Sequence, residues 1–382
     1  MITRRNLLLA GAAAVAGLSP AMKAIGGQAA GGTPKERIPL VHMTDLYHPP
    51  QDPDDHVDLA TVASLDEYDL KGVVLDVTRK FLFASPEGFD IRRDPGFVPV
   101  VQLGWLLGRA IPVAAGPTLP LSRPDDDAAD RPPGEQAGVK LFLDILEECR
   151  DDVVVSVVGS ARALTAAYNR YPALVRSKVR AVLLNAGSMA GPKREWNVGL
   201  DPDAYIGLWR SGLPIHWYPC ATETGAFNPD HERGTFWKTT HERLFRDLAP
   251  SLRAWFTYAF SPGGGNNIIG ALADAGPPAA WQRILADKRN MWATASLVMG
   301  AGRVLAKTAG GWRCVPDSAM DRNSAWSWRL DRIEARVNER AEIDWHTVKE
   351  GGNALLFGRG RGPEFADAMA EALCALLGSL RF

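Results

Sequence analysis

The stretch VVVSVVGSARALTAAYNRYPALVRSKVRAVLLNAG, residues 153–187, decides the fold. It opens on a valine-rich run of the kind found in strands that are covered on both faces, and such strands belong to parallel sheets. Gly159 closes the run. SARALTAAYNRYPALV then reads as a helix, and KVRAVLLNAG as a second strand. A strand, a helix and another strand in this order form a parallel crossover unit.

The same rhythm extends in both directions. Upstream, IPLVHMT (38–44), LKGVVLDVT (70–78) and IPVAAGP (111–117) read as strands. Between and after them, DDHVDLATVASLDEY (54–68), VPVVQLGWLLGRA (98–110) and VKLFLDILEECR (139–150) read as helices. In the first of these, Val57, Ala60, Thr61, Ser64 and Leu65 share one face. SRPDDDAADRPPGEQAG (122–138) is a polar, proline-rich surface loop. Downstream, DPDAYIGLWRSG (201–212) is a helix and LPIHWYP (213–219) a strand. Residues 231–309 read as mostly helical, and residues 353–380 as strand, loop and helix. The expected fold class is α/β: a mostly parallel, Rossmann-like sheet with helices on both faces and a helical C-terminal part. One domain over 36–382, with a helical insertion at about 231–309, accounts for the pattern.

The chain has 382 residues, enough for one large α/β domain. Lys+Arg number 43 and Asp+Glu 44, a balance that excludes nucleic acid as a main partner. Cys149, Cys220, Cys314 and Cys374 are widely spaced, with no zinc pattern, and are expected to be free thiols. Of the twelve tryptophans, Trp196, Trp209 and Trp217 lie near candidate site segments, where stacking on a ligand competes with ordinary core packing. The opening MITRRNLLLAGAAAVAGLSPAMKA has the Arg4-Arg5 charged region and the short apolar region of a twin-arginine export signal. Residues 1–30 are therefore read as a signal, with a periplasmic or extracellular destination and no membrane span beyond the signal.

A second stretch carries the chemistry. VHMTDLYHPPQDPDDHVDLATV (41–62) crowds Asp45, Asp52, Asp54, Asp55 and Asp58 where a strand gives way to a helix. Ligands of open α/β sheets bind beyond the carboxyl ends of the strands. A helix N-terminus also attracts carboxylates by capping and through its dipole, which would explain Asp54 and Asp55 alone. Four aspartates within eleven residues point further, to a metal or to sugar hydroxyls. Asp58, one helical turn past Asp54, is expected to face solvent. His42, on the strand, is expected to be a satisfied, partly buried residue. His48, in the loop, is the stronger functional candidate among the histidines.

Taken together these segments resemble the inosine–uridine preferring nucleoside hydrolases. The ordered set is Gly159, Tyr171-Pro172, Ala186-Gly187, Glu195-Trp196-Asn197, Asp201-Pro202-Asp203-Ala204 and Gly212-Leu213-Pro214-Ile215, with IPVAAGPTLPL (111–121) upstream. The aspartate run resembles that family's N-terminal signature, and its terminal pair matches Asp54-Asp55. Asp45 best matches the strand-end aspartate, and Asp52 is its rival. The resemblance implies Ca²⁺ held by Asp45 and Asp55, with Asp52 as a further ligand. It implies Asp54 on the 2′- and 3′-hydroxyls, Glu195 and Asn197 on the ribose, and Asp45 as the base. The implied reaction is hydrolysis of an N-glycosidic bond of a nucleoside or related N-ribosyl compound, by a water the metal activates. The alternative is a non-catalytic sugar- or nucleoside-binding protein on the same fold. Either way the ligand is a small molecule, and a homo-oligomer is compatible with both.

The chain departs from the family pattern at three points. The calcium-binding turn reads Gly159-Ser160-Ala161-Arg162-Ala163, and the segment after the second strand reads Asp76-Val77-Thr78-Arg79. The helix that should carry a His-Asp pair is NMWATASLVMGAGRVLA (290–306), which starts with Asn290, Met291, Trp292 and Thr294 and has neither residue.

Overall fold

The computed structural model describes residues 36–81, 84–85, 88–89, 94–190, 195–260, 267–274, 277–319 and 325–382. The export signal and most of the glycine-rich segment at 263–267 lie outside them. Residues Glu36–Phe382 form one compact unit.

The chain begins with β1 (Ile38–Thr44), α1 (Asp54–Ser64) and β2 (Tyr68–Leu75), followed by the short β3 (Ala84–Ser85) and β4 (Gly88–Phe89). Then come α2 (Phe97–Leu106), β5 (Val113–Ala115), α3 (Pro133–Glu148), β6 (Val153–Val157), α4 (Arg162–Arg170) and α5 (Pro172–Lys178). β7 (Val179–Leu184), α6 (Trp196–Leu200), α7 (Pro202–Arg210) and β8 (Ile215–Trp217) complete the expected alternation. The remainder is β9 (Trp237–Thr240), α8 (His241–Phe245), α9 (Pro250–Phe260), α10 (Pro278–Ala286), β10 (Lys288–Met291), α11 (Thr294–Gly300), β11 (Arg303–Thr308), β12 (Gly311–Pro316), β13 (Arg329–Val337), β14 (Ile343–Thr347), β15 (Ala354–Gly358) and α12 (Phe365–Ser379).

The main sheet has the order β14-β13-β15-β8-β7-β6-β1-β2-β5. From β15 across to β5 every pairing is parallel, and β13 and β14 add an antiparallel hairpin at one edge. The helices cover both faces, as the valine run requires. Alternate residues feed two separate cores: Val154 and Leu183 pack with α1, α11 and α12, while Val155 and Val182 pack with α3, α4 and α7. β1 lies between β2 and β6. The chain runs outward from β1 in one direction through β2 and β5, then returns to β6 and runs the other way. The β1/β6 boundary is the switch point at which such sheets bind ligands.

Three readings need correction. α1 stops at Ser64, short of the expected Tyr68. Tyr68 opens β2 instead, and its hydroxyl donates to the Leu297 carbonyl at 2.7 Å. α3 starts at Pro133, inside the stretch read as loop. Residues 231–309 are helical only in parts. β9 and β10 pair there, placing buried Met291 opposite buried Trp237, and β11 pairs with β12. Four-residue strands such as Lys-Arg-Asn-Met have too few apolar positions to show a period of two.

One buried ion pair ties the carboxyl edge of the sheet together. Arg162 Nε donates to Asp201 Oδ2 at 2.8 Å, and both side chains are fully buried. The guanidinium also donates to the carbonyls of Val77, Pro117 and Leu200. Asp201 accepts from the Leu121 amide and caps α7 through Ala204 N. Removing one partner leaves a buried charge uncompensated, which costs about 3–5 kcal/mol. Asp201→Ala should lower the free energy of urea unfolding by that order; a loss below about 1 kcal/mol would show the clamp to be dispensable.

Candidate functional site

β1 ends at Thr44, and Asp45 follows at the switch point. The HPPQ segment (48–51) is anchored rather than loose. His48 exchanges two backbone hydrogen bonds with Asp94, both at 2.8 Å, and its ring stacks on Tyr258 with centroids 5.0 Å apart. Tyr47, at φ 44°, turns the chain, and its hydroxyl accepts from the Thr78 amide at 2.8 Å. This anchoring returns Gln51 and Asp52 to the cavity wall beside Asp54 and Asp55 on the first turn of α1.

The cavity has a volume of about 410 Å³. Asp45, Asp52, Asp54, Asp55 and Asp58 line it. Asn185, at the end of β7, and Glu195, Trp196 and Asn197, at the start of α6, also line it. Cys220, Ala226, Phe227, Trp292 and Ala293 complete the wall. Every site residue expected from the sequence therefore lines one cavity.

The carboxylates are held in different ways. Thr44 Oγ1 donates to Asp55 Oδ1 at 2.8 Å. Glu195 caps α6 and accepts from the amides of Gly187 (2.8 Å), Asn197 (3.0 Å) and Val198 (3.4 Å). Asn197 Nδ2 donates to the Asn185 carbonyl at 3.0 Å, which leaves its own carbonyl oxygen available. Asp52 meets Arg289 at 3.6 Å. Arg289 Nε in turn donates to His241 Nε2 at 2.9 Å, so the 2.9 Å contact from His241 Nδ1 to the Ile284 carbonyl is an N–H donation from a neutral ring. Burial lowers the His241 pKa to about 4, consistent with that neutral form.

Crowding pushes the acids upward. Burial, followed by the charge of Asp76, raises Asp45 well above the usual carboxylate range. Burial and Asp52 do the same to Asp54, and burial and Asp45 to Asp55. Asp58 is raised to about 8, first by burial and then by Asp52. Glu195 is also raised by burial, while its backbone donors oppose the shift. Charges of one sign in a dry site disfavour ionisation unless a cation joins them.

Several sequence expectations change here. Asp58 does not face solvent; it is 1% exposed, lines the cavity, and its Oδ1 has no hydrogen-bond partner. The i, i+4 spacing from Asp54 already placed the two on one helical face. His42 is fully buried, with neither ring nitrogen hydrogen-bonded. His48 packs beneath α9 and is not among the lining residues. Trp209 and Trp217 belong to the core, whereas Trp196 is 53% exposed at the cavity. Asn185 was overlooked, although a polar residue closing a parallel strand is itself a signal. The four cysteines are unpaired, and Cys149 is half-buried.

The donor set consists of hard oxygens, which suits Ca²⁺ in kind. Among the described residues no three acidic, histidine or cysteine side chains already converge on one point. Carbonyls and water would have to complete a coordination shell of six to eight oxygens.

No family model matches the chain. It is 30% identical over 137 residues to the pyrimidine-specific ribonucleoside hydrolase RihA of Enterobacter sp. (strain 638), and 25% identical over 134 residues to the non-specific ribonucleoside hydrolase RihC of Klebsiella pneumoniae subsp. pneumoniae. Each match covers 30% of this chain and 44% of the relative, so the chain spans less than half the length of these curated relatives. The fold of a purine-preferring ribonucleoside hydrolase from Gardnerella vaginalis superposes with a TM-score of 0.51 at 13% identity, covering 89% of this chain and 99% of that one. Over that stretch the chain is similar to ribonucleoside hydrolases, and its fold is that of a nucleoside hydrolase. Its α/β sheet is the one the nucleoside hydrolase resemblance implied. Among the described residues no helix is long and apolar enough to cross a membrane.

The raised acids make a prediction about stability. An aspartate in an unfolded chain titrates near about 3.9. Between that value and about 8 the folded protein keeps a proton on Asp58 that the unfolded chain has lost, so stability falls as pH rises through this window. In the presence of a chelator, Asp58→Asn should lose less melting temperature between pH 5 and pH 8 than the wild type. An equal loss in both would contradict this electrostatic account.

Proposed function

We propose that the protein hydrolyses the N-glycosidic bond of a nucleoside or related N-ribosyl compound. The observation that carries this reading is the convergence of Asp45, Asp52, Asp54, Asp55, Glu195 and Asn197 on one cavity at the switch point of a nucleoside hydrolase fold. A bound Ca²⁺, held by Asp45 and Asp55 with Asp52 beside them, would lower the pKa of a coordinated water and orient the sugar.

The chain's own residues account for the rest. Asp45 accepts the proton of the attacking water, and a bound cation would keep its carboxylate in the ionised form. Asp54, at the N-terminus of α1, takes the 2′- and 3′-hydroxyls as hydrogen-bond donors. Glu195 is immobilised by three amides and so is preorganised for a sugar hydroxyl. Asn197 offers its carbonyl oxygen to the ribose. Export of the folded protein by a twin-arginine route belongs to the same reading, and rests on Arg4-Arg5 and the apolar segment that follows.

The test is release of free base and reducing sugar from a nucleoside panel. Asp45→Asn should lower kcat by about 10²–10⁴-fold. Asp54→Ala should act mainly on KM, as expected for a group that binds the sugar throughout. Ribose binding without release of base from any substrate would replace this reading with that of a binding protein.

A further inference from the structure

A chain of hydrogen bonds reaches the acidic cavity from the C-terminal part of the molecule. His241, at the start of α8, is 1% exposed. Its ring lies 5.4 Å from that of Phe260 and 4.7 Å from that of Phe245, so its orientation is fixed by packing. The Nδ1–H donates to the Ile284 carbonyl at 2.9 Å, which leaves Nε2 as an acceptor. Arg289 fills that acceptor through its Nε at 2.9 Å. The backbone of Arg289 is held too, because it pairs with Thr239 in the β9–β10 ladder. The guanidinium is thus anchored along one edge, and its Nη1 faces Asp52 Oδ1 at 3.6 Å.

The two partners differ in freedom. The Arg289 side chain is 12% exposed and that of Asp52 is 54% exposed. A pair of mobile surface side chains contributes little, because both must be ordered to meet. Here the guanidinium is ordered already, so only Asp52 has freedom left to lose. Asp52 lines the cavity just before Pro53, the residue that precedes α1. Asp54 follows on the first turn of that helix, and the Arg289 charge opposes the upward push that burial and Asp52 give it. Arg289 is not itself a lining residue, so it acts on a ligand through these carboxylates.

From this anchoring we infer that Arg289 is a positioning residue: it holds Asp52 beside Asp54 to receive a sugar hydroxyl, and leaves Asp45 and Asp55 as the carboxylates for Ca²⁺. An oxygen turned to a guanidinium is not given to a metal. Spacing alone made Asp45 and Asp52 rivals for one role, and a residue from the other end of the chain separates them. The inference rests on the sugar-binding part of the reading above.

The test uses ribose as the probe in calorimetry, with nucleoside hydrolysis as a second readout. Arg289→Met should weaken ribose binding about three- to tenfold, the effect of one lost hydrogen bond, and raise KM similarly with kcat nearly unchanged. Asp52→Ala should do the same. Arg289→Met should add nothing in the Asp52→Ala background, because both act through one carboxylate. His241→Leu should reproduce the Arg289→Met defect, and His241→Gln, whose amide oxygen accepts from Arg289 Nε, should restore ribose binding. Ca²⁺ affinity in Asp52→Ala should stay within about threefold of the wild type. Additive effects of Arg289→Met and Asp52→Ala would show a merely structural role and overturn the inference. So would loss of Ca²⁺ binding in Asp52→Ala, which would make Asp52 a metal ligand, or a wild type that binds no ribose. The expected ribose pattern without turnover of any nucleoside would keep the inference and remove the hydrolase reading; turnover with additive effects would do the reverse.

Discussion

Like-charged carboxylates crowded into one partly dry cavity are the constraint on which the rest of the site depends. Asp45, Asp54, Asp55 and Asp58 are all pushed upward, and burial is the first cause in each case. Such a cluster persists only where its surroundings are rigid and partly compensating. Thr44 donates to Asp55, Arg289 stands beside Asp52, and three amides hold Glu195. Beneath these, the Arg162–Asp201 pair binds the loops after β2 and β5 to α4 and α7, so the floor of the site cannot spread to relieve the repulsion. The remaining imbalance is relieved by protonation or by a cation.

The aromatic part of the lining depends on a different anchor. Arg359 is fully buried just past β15 and donates to the carbonyls of Gly234 and Pro229. Its guanidinium lies over the Phe365 ring. Arg233 pairs with Asp331 at 2.6 Å. These contacts fix the segment that brings Ala226 and Phe227 to the cavity, and Trp292 is hydrogen-bonded to that same segment. The aspartates thus come from the first crossover and Glu195 from the start of α6, whereas Phe227 and Trp292 sit on segments held by the last strands and α12.

Much of this was legible in the sequence because parallel sheets have strong local signatures. The valine run of β6, the apolar β7 and the aspartates after β1 are short-range patterns, and together they indicated both the sheet and the edge where ligands bind. The β13–β14 hairpin and the β9–β10 pair were not legible. Their strands carry charged residues on an exposed face, and β9 and β10 are paired by residues about fifty positions apart. Asp58 was misjudged because helical spacing gives the face and not what covers it; the neighbouring residue Thr294 is far away in sequence. The same limit applies to His42, whose burial between β2 and β6 follows from strand order and not from local pattern.

The most direct measurement is a calorimetric titration of the metal-free protein with Ca²⁺, in two buffers of different ionisation enthalpy. If the buried acids form the cation site, one Ca²⁺ binds and protons are released, because Asp45 and Asp55 start above their ordinary range. Asp55→Ala should abolish the binding. An absence of binding heat at millimolar Ca²⁺ in both buffers, or binding unchanged in Asp55→Ala, would contradict the assignment of the acidic cavity as a metal and sugar site.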